Sequence, residues 1–208
     1  MIEVEKEPAI AATLFGDRIG VARSFTAALA DQGEERGLIG PLELPRLWTR
    51  HILNSVVAAP FFHGRVADVG SGAGLPGLVL AIARPDVEWT LVEPMERRII
   101  WLTQQVDVLG LTNVEVLRAR AEDVRRPEGF DVVTARAVSA LRTLIPITAP
   151  LVRDGGELAL IKGTNAPLEI EAAQKQIRKF RLSDVRVEVL GEGVLPETTR
   201  VVRATVRG

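Results

Sequence analysis

Residues 66–77 read VADVGSGAGLPG. An apolar run closes on an acid, Asp68, and glycines follow at Gly70, Gly72, Gly74 and Gly77. Glycine lets a chain turn sharply and approach a ligand with no Cβ in the way. A helix opening near Leu75 or Pro76 then points its free N–H groups at the same place. The stretch therefore predicts a strand, a turn that binds a nucleotide-like ligand, and a helix. Two ligands compete for it. From Gly72 the letters GAGLPG satisfy the G-x-G-x-x-G dinucleotide fingerprint; from Asp68 the letters DVGSGAG satisfy the acid-x-G-x-G-x-G loop of enzymes that use S-adenosylmethionine (SAM).

The surrounding pattern sets the fold class. After Phe62, short β-rich runs alternate with helical stretches: RVADVG, VEWTLVE, NVEVLRA, FDVVTA, GELALIKG, VRVEVLG and TRVVRATVRG. Strand then helix, repeated, predicts an α/β fold with a mostly parallel seven-stranded sheet of Rossmann-like type, wrapped on both faces. The last two runs are joined by a loop alone, which can add an antiparallel edge. Before Phe62, Ile10, Leu14, Ile19, Val21, Phe25 and Leu29, then Leu44, Leu47, Ile52, Leu53 and Val56, recur at helical spacing. We therefore expect a single unit over residues 1–208, with a helical N-terminal extension at 1–62 and a ligand-binding α/β core at 63–208.

Composition bounds the chemistry. With 208 residues and 47% apolar side chains, the chain can build its core without metal or disulfide staples. It contains no cysteine, which removes disulfides, thiolate zinc sites and cysteine nucleophiles together. A net charge of −1 argues against a protein that coats nucleic acid indiscriminately, while leaving local basic patches open. No apolar run approaches a membrane span, and MIEVEKEPAI is acidic, unlike a secretory or transit segment, so a cytoplasmic location is expected.

Three observations separate the two ligands. Asp68 precedes the loop, where SAM enzymes often carry an acid near the methionine moiety and dehydrogenases usually carry a small apolar residue. Hydride chemistry usually wants a tyrosine, histidine or metal as proton relay; there is no tyrosine, and the two histidines, His51 and His63, both precede the loop. After the third strand, RAEDV at 120–124 suits an adenine pocket. Glu93, closing the second strand, could hold ribose hydroxyls under either reading. Together these favour SAM.

Six segments then carry a likeness: WTRHILNS (48–55), DVGSGAGLPGLVLAI (68–82), LVEPMERRIIWL (91–102), RAEDV (120–124), FDVVTARAV (130–138) and GGELALIKG (155–163). Through them the sequence resembles the bacterial small-subunit ribosomal RNA methyltransferase G family, formerly called glucose-inhibited division protein B. It departs from the family's pattern at Asn54, where RHILDS is common, and at Ala135, where serine often precedes Arg-Ala. The resemblance implies a class I SAM-dependent methyltransferase that modifies N7 of guanine 527 in 16S rRNA, with that RNA carried in the small ribosomal subunit, and with no metal. Guanine N7 has a lone pair and no proton, so its attack on the sulfonium methyl needs no general base, only alignment and exclusion of water. Adenine N6 enzymes commonly carry a Pro-Pro-aromatic clamp after the fourth strand; here that position reads TARA.

The expected site follows. Cofactor contacts are assigned to Asp68, Gly70, Gly72, Gly74 and Leu75 of the loop, to Glu93, to Ala121 and Glu122, and to Arg136. Arg136 and Lys162, closing the fourth and fifth strands, are the candidate catalytic pair, since arginine can bond guanine O6 or a phosphate. Arg50, His51 and Arg120 are the candidate RNA-facing residues; Trp48 beside them is read first as packing and second as RNA-facing, and Trp89 and Trp101 are read as core. Two alternatives stay open: an NAD(P)-dependent oxidoreductase using GAGLPG, and a catalytically silent SAM- or nucleotide-sensing module that binds RNA or a protein.

Overall fold

A computed structural model describes residues 3–136 and 138–208. Seven strands form one sheet: β1 (Arg65–Val69), β2 (Glu88–Val92), β3 (Val114–Leu117), β4 (Phe130–Arg136), β5 (Val152–Lys162), β6 (Leu182–Leu190) and β7 (Thr199–Val206), in the order β3-β2-β1-β4-β5-β7-β6. Every run singled out in the sequence is a strand. The pairs from β3 through β5 are parallel, while β7 runs antiparallel to both neighbours, so β6 is the edge and β7 lies inside it. The order reverses between β1 and β4, and this opens a crevice beyond their carboxyl ends, where open α/β sheets bind ligands.

The helices are α1 (Ile10–Phe15), α2 (Ile19–Gln32), α3 (Asn54–Val56), α4 (Gly77–Ala83), α5 (Glu96–Val108), α6 (Leu141–Thr148), α7 (Ala166–Ala172) and α8 (Gln174–Lys179). Alternation along the strands feeds two apolar layers. Val66, Val132 and Ala159 face one, with α4, Trp89 and Trp101; Ala67, Val133, Leu158 and Leu160 face the other, with α6 and Ile177. Phe15, Phe25, Leu29, Leu47, Ile52 and Leu53 belong to the first layer, so the N-terminal helices cover α4 and share its core. That placement explains why GLVLAI of α4 is apolar throughout: it is buried on the sheet side and on the outer side.

One local departure matters for the site. The spacing of Leu47, Ile52 and Leu53 predicts ordinary helix, but Leu47–Leu53 is a π-helix, preceded by a 3₁₀ segment, Pro41–Arg46. The wider turn buries Leu47, Trp48, Thr49, Ile52 and Leu53 and leaves Arg50 exposed and His51 half-buried. The Glu5 carboxylate accepts the Thr49 amide at 2.9 Å and the Thr49 hydroxyl, and the Glu5 amide donates to Leu44 O at 2.9 Å. The preceding chain thereby clamps this segment over the crevice. Among the described residues no helix is long and apolar enough to cross a membrane.

Candidate active site

The glycine loop between β1 and α4 is tied to the end of β2. Gly70 and Ser71 donate their amides to Val92 O at 2.8 and 3.2 Å, and Gly72 donates to Glu93 Oε2 at 3.0 Å. Glu93 Oε1 accepts the Met95 amide at 2.9 Å, and Arg98 approaches Oε2 at 3.5 Å. The indole of Trp101 donates to Ala73 O at 3.0 Å, so a tryptophan expected only to pack also braces the loop. Gly72 has φ +58°, and a Cβ built there would meet only Gly70 O, at 3.8 Å. Gly72 lines a cavity of about 320 Å³ together with Gly70, Leu75, Arg98, His51 and Arg136.

Asp68 is placed differently from the expectation. It is fully buried and does not line this cavity; its Oδ2 accepts the Gly77 amide at 3.0 Å at the start of α4. A Cβ on Gly77 would lie 2.4 Å from that oxygen, so the last glycine of GAGLPG is required by the close approach of helix to strand. Burial pushes the Asp68 carboxyl up to about 7, against the opposing pull of Ser71, the Gly77 amide and the Arg136 guanidinium. Its Oδ1 has no hydrogen-bond partner. Asp68 thus acts on the loop from beneath, through α4.

The two candidate catalytic cations stand at neighbouring strand ends. Arg136, half-buried, donates through Nη2 to His51 Nδ1 at 3.0 Å and makes long contacts, 3.4 Å each, to the carbonyls of Leu75 and Arg50. These partners are neutral. Burial pushes its guanidinium down to about 10, against the attraction of Asp68, so it remains a cation at neutral pH. Lys162 is instead enclosed: its Nζ bonds Glu169 Oε2 at 2.8 Å and Ser139 O at 2.7 Å. Glu169 also accepts the Leu141 amide at 2.9 Å, so this pair fixes the start of α6. Lys162 is a tie between β5, α7 and the loop after β4 rather than a free ammonium.

The expected RNA-facing and adenine-side residues are also redistributed. His51 turns inward, its Nε2 2.7 Å from Glu43 Oε2, and burial above all, with the Arg136 charge, lowers its pKa to about 4. It is a neutral ring and not part of a cationic patch. Arg50 is exposed but lies 3.2 Å from Glu43 and 3.9 Å from Glu197. Arg120 is exposed at the cap of a 3₁₀ turn, Ala121–Asp123. Ala121, buried, and Glu122 both line a separate cavity of about 470 Å³ with Arg125, Pro127 and Pro146, which shares no residue with the loop-side cavity. Trp48 is buried in the core, in keeping with its packing reading and not with its RNA-side one. Gly74 has φ +91°, and a Cβ there would strike Leu78.

A second cavity, of about 480 Å³, opens beside the first and is lined by Arg50, Asn54, Lys162, Thr198 and Arg200. His51 and Arg136 line both cavities. Arg200 was not singled out from the sequence. Among the described residues its side chain makes one hydrogen bond, a 3.4 Å contact to the Thr198 hydroxyl, and it reaches the site because β7 inserts beside β5.

A sequence profile described as rRNA small subunit methyltransferase G matches residues 19–198. The chain belongs to this family. A Ribosomal RNA small subunit methyltransferase G of Leifsonia xyli subsp. xyli is 67% identical over 205 residues, spanning 98% of each chain. One of Corynebacterium glutamicum is 46% identical over 200 residues, 94% of this chain and 90% of the relative. Among solved structures, the N-methyltransferase NodS of Bradyrhizobium japonicum, in complex with S-adenosylhomocysteine, superposes with a TM-score of 0.59. It is 17% identical, over 86% of this chain and 99% of that one. A SAM-dependent methyltransferase from Aquifex aeolicus gives 0.54 at 19% identity, over 88% and 97%. The family's fold is thus that of the class I SAM-dependent methyltransferases, as the sequence predicted.

Proposed function

We propose that this chain, working as one unit, transfers a methyl group from SAM to guanine N7 at position 527 of 16S rRNA, in the small ribosomal subunit and in the cytoplasm. Family membership supports the reaction class, and one observation carries the chemistry: Arg136, a cation with neutral partners, lies on the boundary of two adjoining cavities. The loop-side cavity suits SAM. Its floor is glycine backbone with an open side at Gly72, and Glu93 closes β2 beside it. A carboxylate offers about four acceptor directions; the Gly72 and Met95 amides take two and Arg98 approaches a third, so Glu93, buried at the end of β2, keeps one direction for a ribose hydroxyl. SAM, when bound, supplies an electrophilic methyl on a sulfonium.

The chain's own side chains then have an orienting task. No proton must leave guanine N7, and none of the nearby groups is poised to take one. Both ring nitrogens of His51 are engaged, Lys162 is paired, and Asp68 is sealed. Arg136 retains N–H donors that can bond guanine O6 or a flanking phosphate and fix the base in line with the methyl. Arg200 and Arg50 line the second cavity with Arg136, and these cations suit a phosphate backbone. The test is labelled methyl transfer into small subunits prepared from a strain lacking its own family member, with the product mapped by mass. A single 7-methylguanine at position 527 is expected. Transfer to another base, or binding of NADH without SAM, would contradict the proposal.

A further inference from the structure

The boundary between the cavities is built from three side chains in series. Glu43, in the 3₁₀ segment, accepts from the Nε2 side of His51, and His51, in the π-helix, presents Nδ1 to Arg136 Nη2, 85 residues away. An imidazole with its proton on Nε2 can donate to Glu43 and accept from Arg136 at once; the other tautomer would set an N–H against a guanidinium N–H. The carboxylate selects the tautomer, and the tautomer leaves a lone pair facing the arginine. The remaining Arg136 contacts are long and to backbone carbonyls, so His51 is the only side chain among the described residues that orients the fork.

We propose that His51 is a positioning residue: held by Glu43 as the neutral Nε2–H tautomer, it aims the Arg136 guanidinium along the boundary of the two cavities without neutralising its charge. A carboxylate in the same place would form an ion pair and occupy the fork, as Glu169 occupies Lys162. A neutral acceptor orients the arginine and leaves its remaining N–H donors for the substrate. This assignment rests on the methyltransferase reading for its catalytic consequence, but its geometry can be tested apart from catalysis.

The charged groups around the ring are Glu43 and Arg50 on the covering segment and Arg136 on β4, with Asp68 behind Arg136 and Glu197 beyond Arg50. Burial and the two arginines oppose protonation, and only Glu43 among the direct neighbours favours it. The ring should therefore stay neutral at pH values where a free imidazole is already charged.

The first test is imidazole ¹⁵N spectroscopy on the whole protein. The chain has two histidines, so H63Q assigns the spectrum without touching the site. The expected result is a neutral Nε2–H tautomer for His51 from pH 8 to pH 5.5. A cationic ring at pH 6, or an Nδ1–H tautomer, overturns the assignment. The second test is kinetic. H51A should lower single-turnover methyl transfer by about tenfold while changing SAM affinity by less than about threefold. H51N, whose side-chain oxygen can accept from Arg136, should recover most of that loss, and E43Q should outperform E43A. In an R136A background, H51A should add no further loss. An equal additional loss there, or no recovery by H51N, would mean that His51 acts independently of the arginine. If the wild-type protein transfers no methyl to 16S rRNA, the functional proposal fails by itself, and the tautomer measurement still decides the His51 assignment.

Discussion

Two neighbouring strands of the sheet, β4 and β5, each end on a cation, and the surroundings make the two cations different. Arg136 is held by carbonyl oxygens and a neutral imidazole, so its charge stays available at the cavity boundary. Lys162 is closed in by Glu169 and Ser139 O, with 9% of its side chain exposed. In the sequence the two looked alike: each closes a strand at the rim where α/β sheets place their chemistry. What separates them is the partner that tertiary contact delivers. A carboxylate turns a rim cation into structure; a neutral acceptor leaves it able to bind.

The largest effect expected from this contrast is at Arg136. Arg136→Ala should reduce methyl transfer by at least about a hundredfold, because a misplaced nucleophile forfeits the alignment that supplies much of the rate. Arg136→Lys should recover little, since a point charge cannot reproduce a planar fork. Single-turnover transfer of labelled methyl groups checks both, and near-normal transfer by Arg136→Ala would erase the contrast. Lys162→Ala should act mainly on stability. It should cost about 1–2 kcal/mol in denaturant unfolding by leaving Glu169 and Ser139 O underbonded, with transfer falling less than about tenfold. A loss of transfer as deep as that of Arg136→Ala would instead make the lysine a substrate contact.

A smaller effect sharpens the comparison beneath Arg136. Asp68 is raised from 3.8 to about 7, so across that interval the folded state holds a proton that the unfolded chain has released, and stability falls as pH rises. His51 is lowered from 6.5 to about 4, so between those values the unfolded chain binds the extra proton, and stability rises with pH. The two slopes oppose each other where they overlap. Asp68→Asn should unmask the rising slope and His51→Asn the falling one, each by no more than about 1.4 kcal/mol per pH unit. Chemical denaturation at pH 5, 6 and 7 tests this; parallel profiles for the wild type and both variants would contradict it.

The floor of the site was more legible in the sequence than the rim. Strand periodicity, the glycine loop and Glu93 are local patterns, and backbone geometry leaves glycine few substitutes at Gly74 and Gly77. The rim depends on contacts between distant segments. The pairing of His51 with Arg136 spans 85 positions, and that of Lys162 with Arg136's neighbouring loop depends on where Glu169 falls on α7. Neither leaves a periodic trace. Glu122 had the right composition for an adenine pocket but faces another cavity, and Trp48 sits in a helical pattern whose π geometry turns it inward. Arg200 could have been suspected only by placing β7 beside β5, because the antiparallel insertion alone brings it to the cleft.

The central claim is that Arg136, and not its neighbour Lys162, orients the base that receives the methyl group. It is tested most directly by complementation. A bacterial strain lacking its own family member is supplied with the wild-type chain, Arg136→Ala or Lys162→Met at matched protein levels, and position 527 of its 16S rRNA is mapped by mass. The account predicts the 7-methylguanine mark with the wild type and with Lys162→Met, and its loss with Arg136→Ala. A full mark with Arg136→Ala would contradict it.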